Sequence, residues 1–90
     1  MDFEWDAVKA AINLAKRGIS FHEASSVFDD PNSMTGYDPM HSDDEDRYLT
    51  AGIFNQVRLL IVWHTDRNNW VRLIGARKAT KREREGYSYA

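Results

Sequence analysis

Ninety residues contain no cysteine, which removes disulfides, thiolate metal sites and a Cys nucleophile from consideration and fits a reducing compartment. Long apolar runs are also missing. The longest, Leu59–Trp63, is far too short to cross a membrane. The start, Met1-Asp-Phe-Glu-Trp-Asp6, is acidic and lacks the basic and apolar stretches of a secretory signal. There is no internal repeat, low-complexity tract or linker. No Gly-rich phosphate-binding loop is present, so nucleotide hydrolysis is not expected, and there is no Gly-x-Ser-x-Gly elbow. His22, His41 and His64 stand far apart, without the His-x-x-x-His or His/Asp spacing that would specify a metal site. These absences imply one soluble, cytoplasmic domain over residues 1–90 with no metal, no cofactor and no membrane partner.

What is present is unevenly spread. Three Trp, four Tyr and four Phe give a small chain a heavy aromatic load, so a few large side chains should supply much of the core energy. The formal net charge of −2 hides a segregation. Residues 70–90 carry six Lys/Arg against Glu83 and Glu85, whereas residues 1–69 carry six against twelve Asp/Glu. A basic pole on an acidic body suits a polyanion better than a neutral metabolite. The same pole also reads as a solvated helix face beside a strand end.

Phe3 and Trp5 alternate with Glu4 and Asp6, as in a short edge strand. Asp6 then caps a helix with Val8, Ala11, Ile12 and Ala15 at helical spacing, Lys9, Asn13, Lys16 and Arg17 opposite, and Gly18 as its stop. Ser20-Phe-His-Glu23 is a capping box opening a second helix through Ala24, Val27 and Phe28 to Asp29-Asp30-Pro31. A short strand near Ser33–Tyr37 precedes an acidic loop, Asp43-Asp-Glu-Asp46. Strands are expected over Arg47–Phe54, Val57–Thr65 and Trp70–Arg77, joined by Asn55-Gln56 and Asp66-Arg-Asn-Asn69 as antiparallel hairpins. Thr80-Lys-Arg-Glu83 is a second capping box, starting a short helix that reaches about Tyr87. The order implies α+β, with an antiparallel sheet of about four strands, N-terminal helices packed on it and a short C-terminal helix. Alternation places Val71, Leu73, Gly75 and Arg77 on one side of the last strand.

The ordered set Phe3-Glu-Trp-Asp6, Asn13-Leu-x-Lys-x-Gly-Ile-Ser-Phe21, Val27-Phe-Asp-Asp-Pro31, Asp38-x-x-His-Ser42, Glu45-x-Arg47, Thr65-x-Arg67 and Arg72-x-Ile-x-Ala-Arg-Lys-Ala-Thr-x-x-Glu83 with Tyr87 resembles the BrnT family of bacterial type II toxins. The resemblance spans essentially the whole chain. It implies a RelE-like fold and a growth-arresting ribonuclease. It also implies a BrnA-like antitoxin partner with a ribbon-helix-helix type DNA-binding region. Operator DNA would then be reached only through that antitoxin, in a complex that represses its own operon. Gly75 departs from the family pattern, where Ser is expected in Ile-Ser-Ala-Arg, so activity could be weaker here.

Metal-free RNA cleavage needs a base for the 2′-hydroxyl, an acid for the leaving 5′-oxygen and cations for the charge on phosphorus. Arg47, Arg67, Arg72, Arg77 and Lys78 answer the last demand, because the Arg fork holds two phosphate oxygens at once. Each serves equally well as an ion-pair partner for the abundant carboxylates. His64, at the end of the central strand, is either a titrating group or a packed strand histidine. His41 lies in the acidic loop and matches the family's His-Ser pair. Glu45 and Glu83 are further candidate bases, and Tyr87 could donate a proton or stack on a base. The expected catalytic set is Arg47, His64, Arg67, Arg77, Lys78 and Tyr87, with Lys9, Arg72, Lys81 and Arg82 binding substrate. The competing readings are a non-catalytic RNA- or protein-binding module and a decayed toxin that retains only antitoxin binding.

Overall fold

The computed structural model describes residues 1–42, 44–55 and 58–87. Strand β1 (Asp2–Trp5) leads into α1 (Ala7–Arg17) and then α2 (Phe21–Ser25), which runs on as a 3-10 turn over Ser26–Asp29. After β2 (Met34–Tyr37) and a 3-10 turn at Pro39–His41 come β3 (Tyr48–Phe54), β4 (Arg58–Arg67), β5 (Trp70–Lys78) and α3 (Lys81–Glu85). Local signals account for the helix ends. The Asp6 carboxylate accepts from the Val8 and Lys9 amides at 2.7 and 3.2 Å, and Gly18 closes α1 in the left-handed region at φ 69°. Ser20 and Thr80 cap α2 and α3, Thr80 in a complete capping box with Glu83.

The α+β class stands, but the sheet differs from expectation. It has five strands rather than about four, in the order β1-β5-β4-β3-β2, and β1 lies parallel to β5. A reading built on hairpins cannot see that pairing, because its partners lie at opposite ends of the sequence. The RelE-type arrangement implied by the resemblance is not what the structure shows. Asp66 and Arg67, expected in a turn, continue β4, and the hairpin narrows to Asn68-Asn69 with Asn68 at φ 53°. The expected turn residue Gln56 and strand start Val57 lie outside the described residues, as does Asp43 of the acidic loop.

Two clusters form on opposite faces of the sheet. Ile19, Phe21, Ala24 and Val27 from the helical segment pack on Leu60, Val62, Val71, Leu73 and Ala76. Phe3, Trp5 and Phe28 flank them, with ring pairs Phe3–Phe28 at 5.3 Å and Trp5–Phe21 at 5.9 Å. Leu59 and Ile61 meet Ala79 and Tyr87 on the other face. Gly52 of β3 allows the close approach of the 3-10 turn, since a Cβ there would sit 2.7 Å from the Val27 carbonyl oxygen and 2.9 Å from its Cβ.

Two patterns run against the sequence reading. A register shift at Trp63/His64 pairs Trp63 with Gly75 and His64 with Leu73. Ile74 is left without a partner on β4, and the alternation resets. Ala76 therefore joins Val71 and Leu73 in the core, and Arg77 leaves their side. Helix α1 is also turned over. Val8, Ala11, Ile12 and Ala15 are exposed, while Ala10 and Asn13 face the sheet. Asn13 takes the inner position because its Nδ2 donates to the Ile19 carbonyl at 2.9 Å and its Oδ1 accepts from the Ala76 amide at 3.0 Å. Both groups belong to buried residues and would otherwise lack partners.

Candidate active site

One end of the sheet, where β3 begins and β4 passes into β5, gathers a cleft of about 290 Å³ lined by Lys9, His41, Asp44, Glu45, Arg47, Thr65, Arg67, Arg72 and Ile74. The loop over it is tied at its base. The Asp38 amide donates to the Arg47 carbonyl at 2.8 Å. The Ser42 hydroxyl donates to the Asp38 carbonyl at 2.6 Å and accepts from the Arg47 amide at 2.8 Å.

Within this loop His41 Nδ1 lies 2.8 Å from Asp38 Oδ2. Asp38 is buried, whereas the His41 side chain is 59% exposed. Burial pushes the Asp38 carboxyl up, but hydrogen bonds from His41 and the Met40 amide outweigh it and hold the group below the usual range. An ionised carboxylate only accepts, so Nδ1 donates to it and Nε2 is the ring nitrogen the pair does not use. An exposed imidazole thus stands beside a cluster of cations.

Those cations are not equivalent. Arg67 grips Glu45 with both arms of its fork, at 2.7 and 2.9 Å. That contact raises the guanidinium and keeps Glu45 below the usual carboxylate range, which leaves Glu45 a poor base. Arg72 lies 3.3 Å from Glu4. The side chains of Lys9 and Arg47 have no ion pair among the described residues, so they are the charges most available to an anion. Thr65 adds a buried hydroxyl with no hydrogen-bond partner among the described residues.

The expected catalytic set is not one constellation. Arg72 lies opposite Thr65 and Arg77 opposite Ile61. Four residues of β4, or ~13 Å, separate those positions. Arg47 and Arg67 belong to the first end. Arg77 and Lys78 lie at the second, with Lys81 and Arg82 on α3 and Tyr87 beyond it. The two ends cannot hold a single phosphate.

Arg77 is engaged in the fold. It pairs with Glu83 at 2.7 and 3.0 Å and stacks 5.2 Å over Trp63, and Glu83 is pulled down to about 2, first by Arg77. Tyr87 is buried and its hydroxyl donates to Asp30. It ties the C-terminal segment to the α2 side. His64 is 2% exposed, with Nε2 at 2.7 Å from Thr50 and Nδ1 at 2.9 Å from Asp66. Burial lowers its basicity despite Asp66. It is the packed strand histidine of the two readings, closed against Phe28 at 5.0 Å. Sequence reasoning left Asp38 and Thr65 out of the site and ranked His41 no higher than His64. The available signal was the three-residue spacing of Asp38 and His41, which a single turn converts into contact.

A family model described as the ribonuclease toxin BrnT of a type II toxin–antitoxin system matches residues 5–83. The fold is similar to the crystal structure of the Brucella abortus ribonuclease toxin BrnT, with a TM-score of 0.67 and 23% identity over 90% of this chain and 99% of that one. No curated protein sequence matches the chain.

Proposed function

The chain belongs to the BrnT family of ribonuclease toxins of type II toxin–antitoxin systems, and on that premise we propose that it arrests growth by metal-independent RNA cleavage in the His41 cleft. The observation that carries this reading is the Asp38–His41 pair, at 2.8 Å, on the rim of a cleft that also holds Lys9 and Arg47. His41 Nε2 takes the proton of a ribose 2′-hydroxyl. The 2′-oxygen bonds to the adjacent phosphorus, the bond to the 5′-oxygen breaks, and the leaving oxygen takes a proton from solvent, to which the His41 imidazolium returns its own, so that a 2′,3′-cyclic phosphate and a 5′-hydroxyl result. Lys9, Arg47 and Arg72 stabilise the charge on phosphorus, an effect of roughly 3–4 kcal/mol for one well-placed donor. DNA, which lacks the 2′-hydroxyl, is spared.

The toxin acts in the cytoplasm and is neutralised by an antitoxin with a ribbon-helix-helix type DNA-binding region, and the complex represses its own operon. The exposed apolar positions Val8 and Ile12, beside Lys9 and Lys16, support a partner of mixed apolar and acidic character.

The experiment is RNA digestion in excess EDTA with analysis of product ends, for the wild type and His41→Asn. Full activity in EDTA and cyclic or 3′-phosphate ends are expected, with the variant slowed by about 10²–10⁴-fold. Activity that disappears in EDTA and returns with Mg²⁺ refutes the metal-free route. A folded His41→Asn that cuts at the wild-type rate removes His41 from the reaction.

A further inference from the structure

The His41 cleft does not end at Lys9 and Ile74. Both residues also line a second cleft of about 300 Å³ between α1 and β5, whose other walls include Ile12, Lys16 and Arg17. Lys16 and Arg17 in turn line a third, of about 420 Å³, with Lys78 and Thr80. Three adjoining depressions thus share walls in sequence and follow the helix from its first turn to its last.

Their electrostatics are one-sided. Among the described residues no carboxylate lines the second or third cleft. Lys16, Arg17 and Lys78 are exposed and form no ion pair among the described residues. Ile12, half exposed, and Ile74 give the middle stretch an apolar floor. Two independent rulers agree on length. Lys9 to Arg17 spans ~12 Å of helix, and the β4 positions opposite Arg72 and Arg77 are ~13 Å apart.

Resting on the ribonuclease reading of the His41 cleft, we infer that the α1–β5 groove holds the single-stranded RNA on one side of the scissile phosphate, with Lys16, Arg17 and Lys78 taking its backbone. At ~3.4 Å per stacked nucleotide the groove accommodates about four residues. A row of cations over an apolar floor suits a single strand, whose phosphates follow the charges and whose bases cover Ile12 and Ile74. This role differs from the one expected of Lys78, which binds substrate at a distance and takes no part at the phosphorus. It also explains how the second group of cations serves the first without sharing its phosphate.

The probes are fluorescent 2′-O-methyl oligoribonucleotides, a uridine octamer and a uridine trimer, which bind but cannot be cleaved through the 2′-oxygen. Affinity is measured by anisotropy across a salt series for the wild type and for Lys16→Ala/Arg17→Ala/Lys78→Ala, with circular dichroism to establish that the exposed substitutions leave the fold intact. The wild type is expected to bind the octamer at least tenfold more tightly than the trimer. The triple variant should lose that advantage, with the slope of log K against log salt falling by about 2 for three lost phosphate contacts. A wild type without length preference, or a folded variant with the wild-type octamer affinity and slope, overturns the groove. Because these probes are not cut, either failure leaves the His41 chemistry standing, and failure of the His41 test on cleavable RNA leaves the groove standing.

Discussion

Replacing Asn13 with Ala should cost more stability than replacing any apolar residue on the outer face of the same helix. The Asn13 side chain supplies a donor to the Ile19 carbonyl and an acceptor for the Ala76 amide, at 2.9 and 3.0 Å. Ile19 and Ala76 are 0% and 2% exposed, so water cannot readily replace either bond. Each orphaned backbone group costs about 1–3 kcal/mol. The better helix propensity of Ala returns roughly 0.5 kcal/mol. A net loss of about 2–4 kcal/mol follows, with relaxation of α1 recovering part of the sum. On the usual scale of ~4–8 °C per kcal/mol, the melting temperature should fall by roughly 10–25 °C. Asn13→Asp keeps the acceptor for Ala76 but sets a carboxylate oxygen against the Ile19 carbonyl, so it should be no more stable than Ala. Ile12→Ala is the comparison. At 51% exposure it should cost less than about 1 kcal/mol, whereas a core isoleucine would cost about 2–5. Urea denaturation followed by tryptophan fluorescence and circular dichroism measures all three. An Ile12→Ala loss larger than that of Asn13→Ala would restore the helix face suggested by periodicity and refute the inverted packing.

Gly52→Ala should destabilise by about 1–3 kcal/mol in the same assay, because the new methyl meets the Val27 backbone rather than a flexible side-chain end. Gly75→Ala should be neutral or stabilising by up to about 0.5–1 kcal/mol, since the nearest atom to a Cβ there is Asn13 Oδ1 at 3.8 Å. A loss above 1 kcal/mol would refute the room assigned to that site. Stability should fall in two acid steps in pH-dependent denaturation. His64 takes a proton less readily folded than its ordinary 6.5, so the unfolded chain gains the proton first and stability declines as pH drops below about 6.5. Glu83 sits at about 2 instead of 4.5, so its contribution is present above 4.5 and disappears as pH falls towards 2. His64→Gln should flatten the first step, and Glu83→Gln should diminish the second, to which Asp6, Asp30, Asp38 and Glu45, also lowered in the fold, contribute as well. An unchanged profile in either variant refutes the corresponding assignment.

Local order was legible in the residues themselves. Asp6, Gly18, Ser20 and Thr80 mark helix ends because capping is settled within four residues of chain, and the three long strands follow from β-branched and aromatic runs. The family was legible because an ordered series of short motifs survives any ignorance of packing. Tertiary structure alone decided the rest. Whether β1 has a neighbour depends on β5 from the far end of the chain, and the face of α1 turned inward depends on two backbone groups, at Ile19 and Ala76, that no helical periodicity reveals. The bulge at Ile74 moved Arg77 off the side of Leu73, and the length of β5 holds the cations at two ends of the sheet. Of two histidines that read alike in sequence, packing buried His64 against Phe28 and Thr50 and set His41 on the rim of a cationic cleft. Burial and reach are properties of the assembled fold, and they determine which imidazole is exposed at a cleft and which is closed into the core.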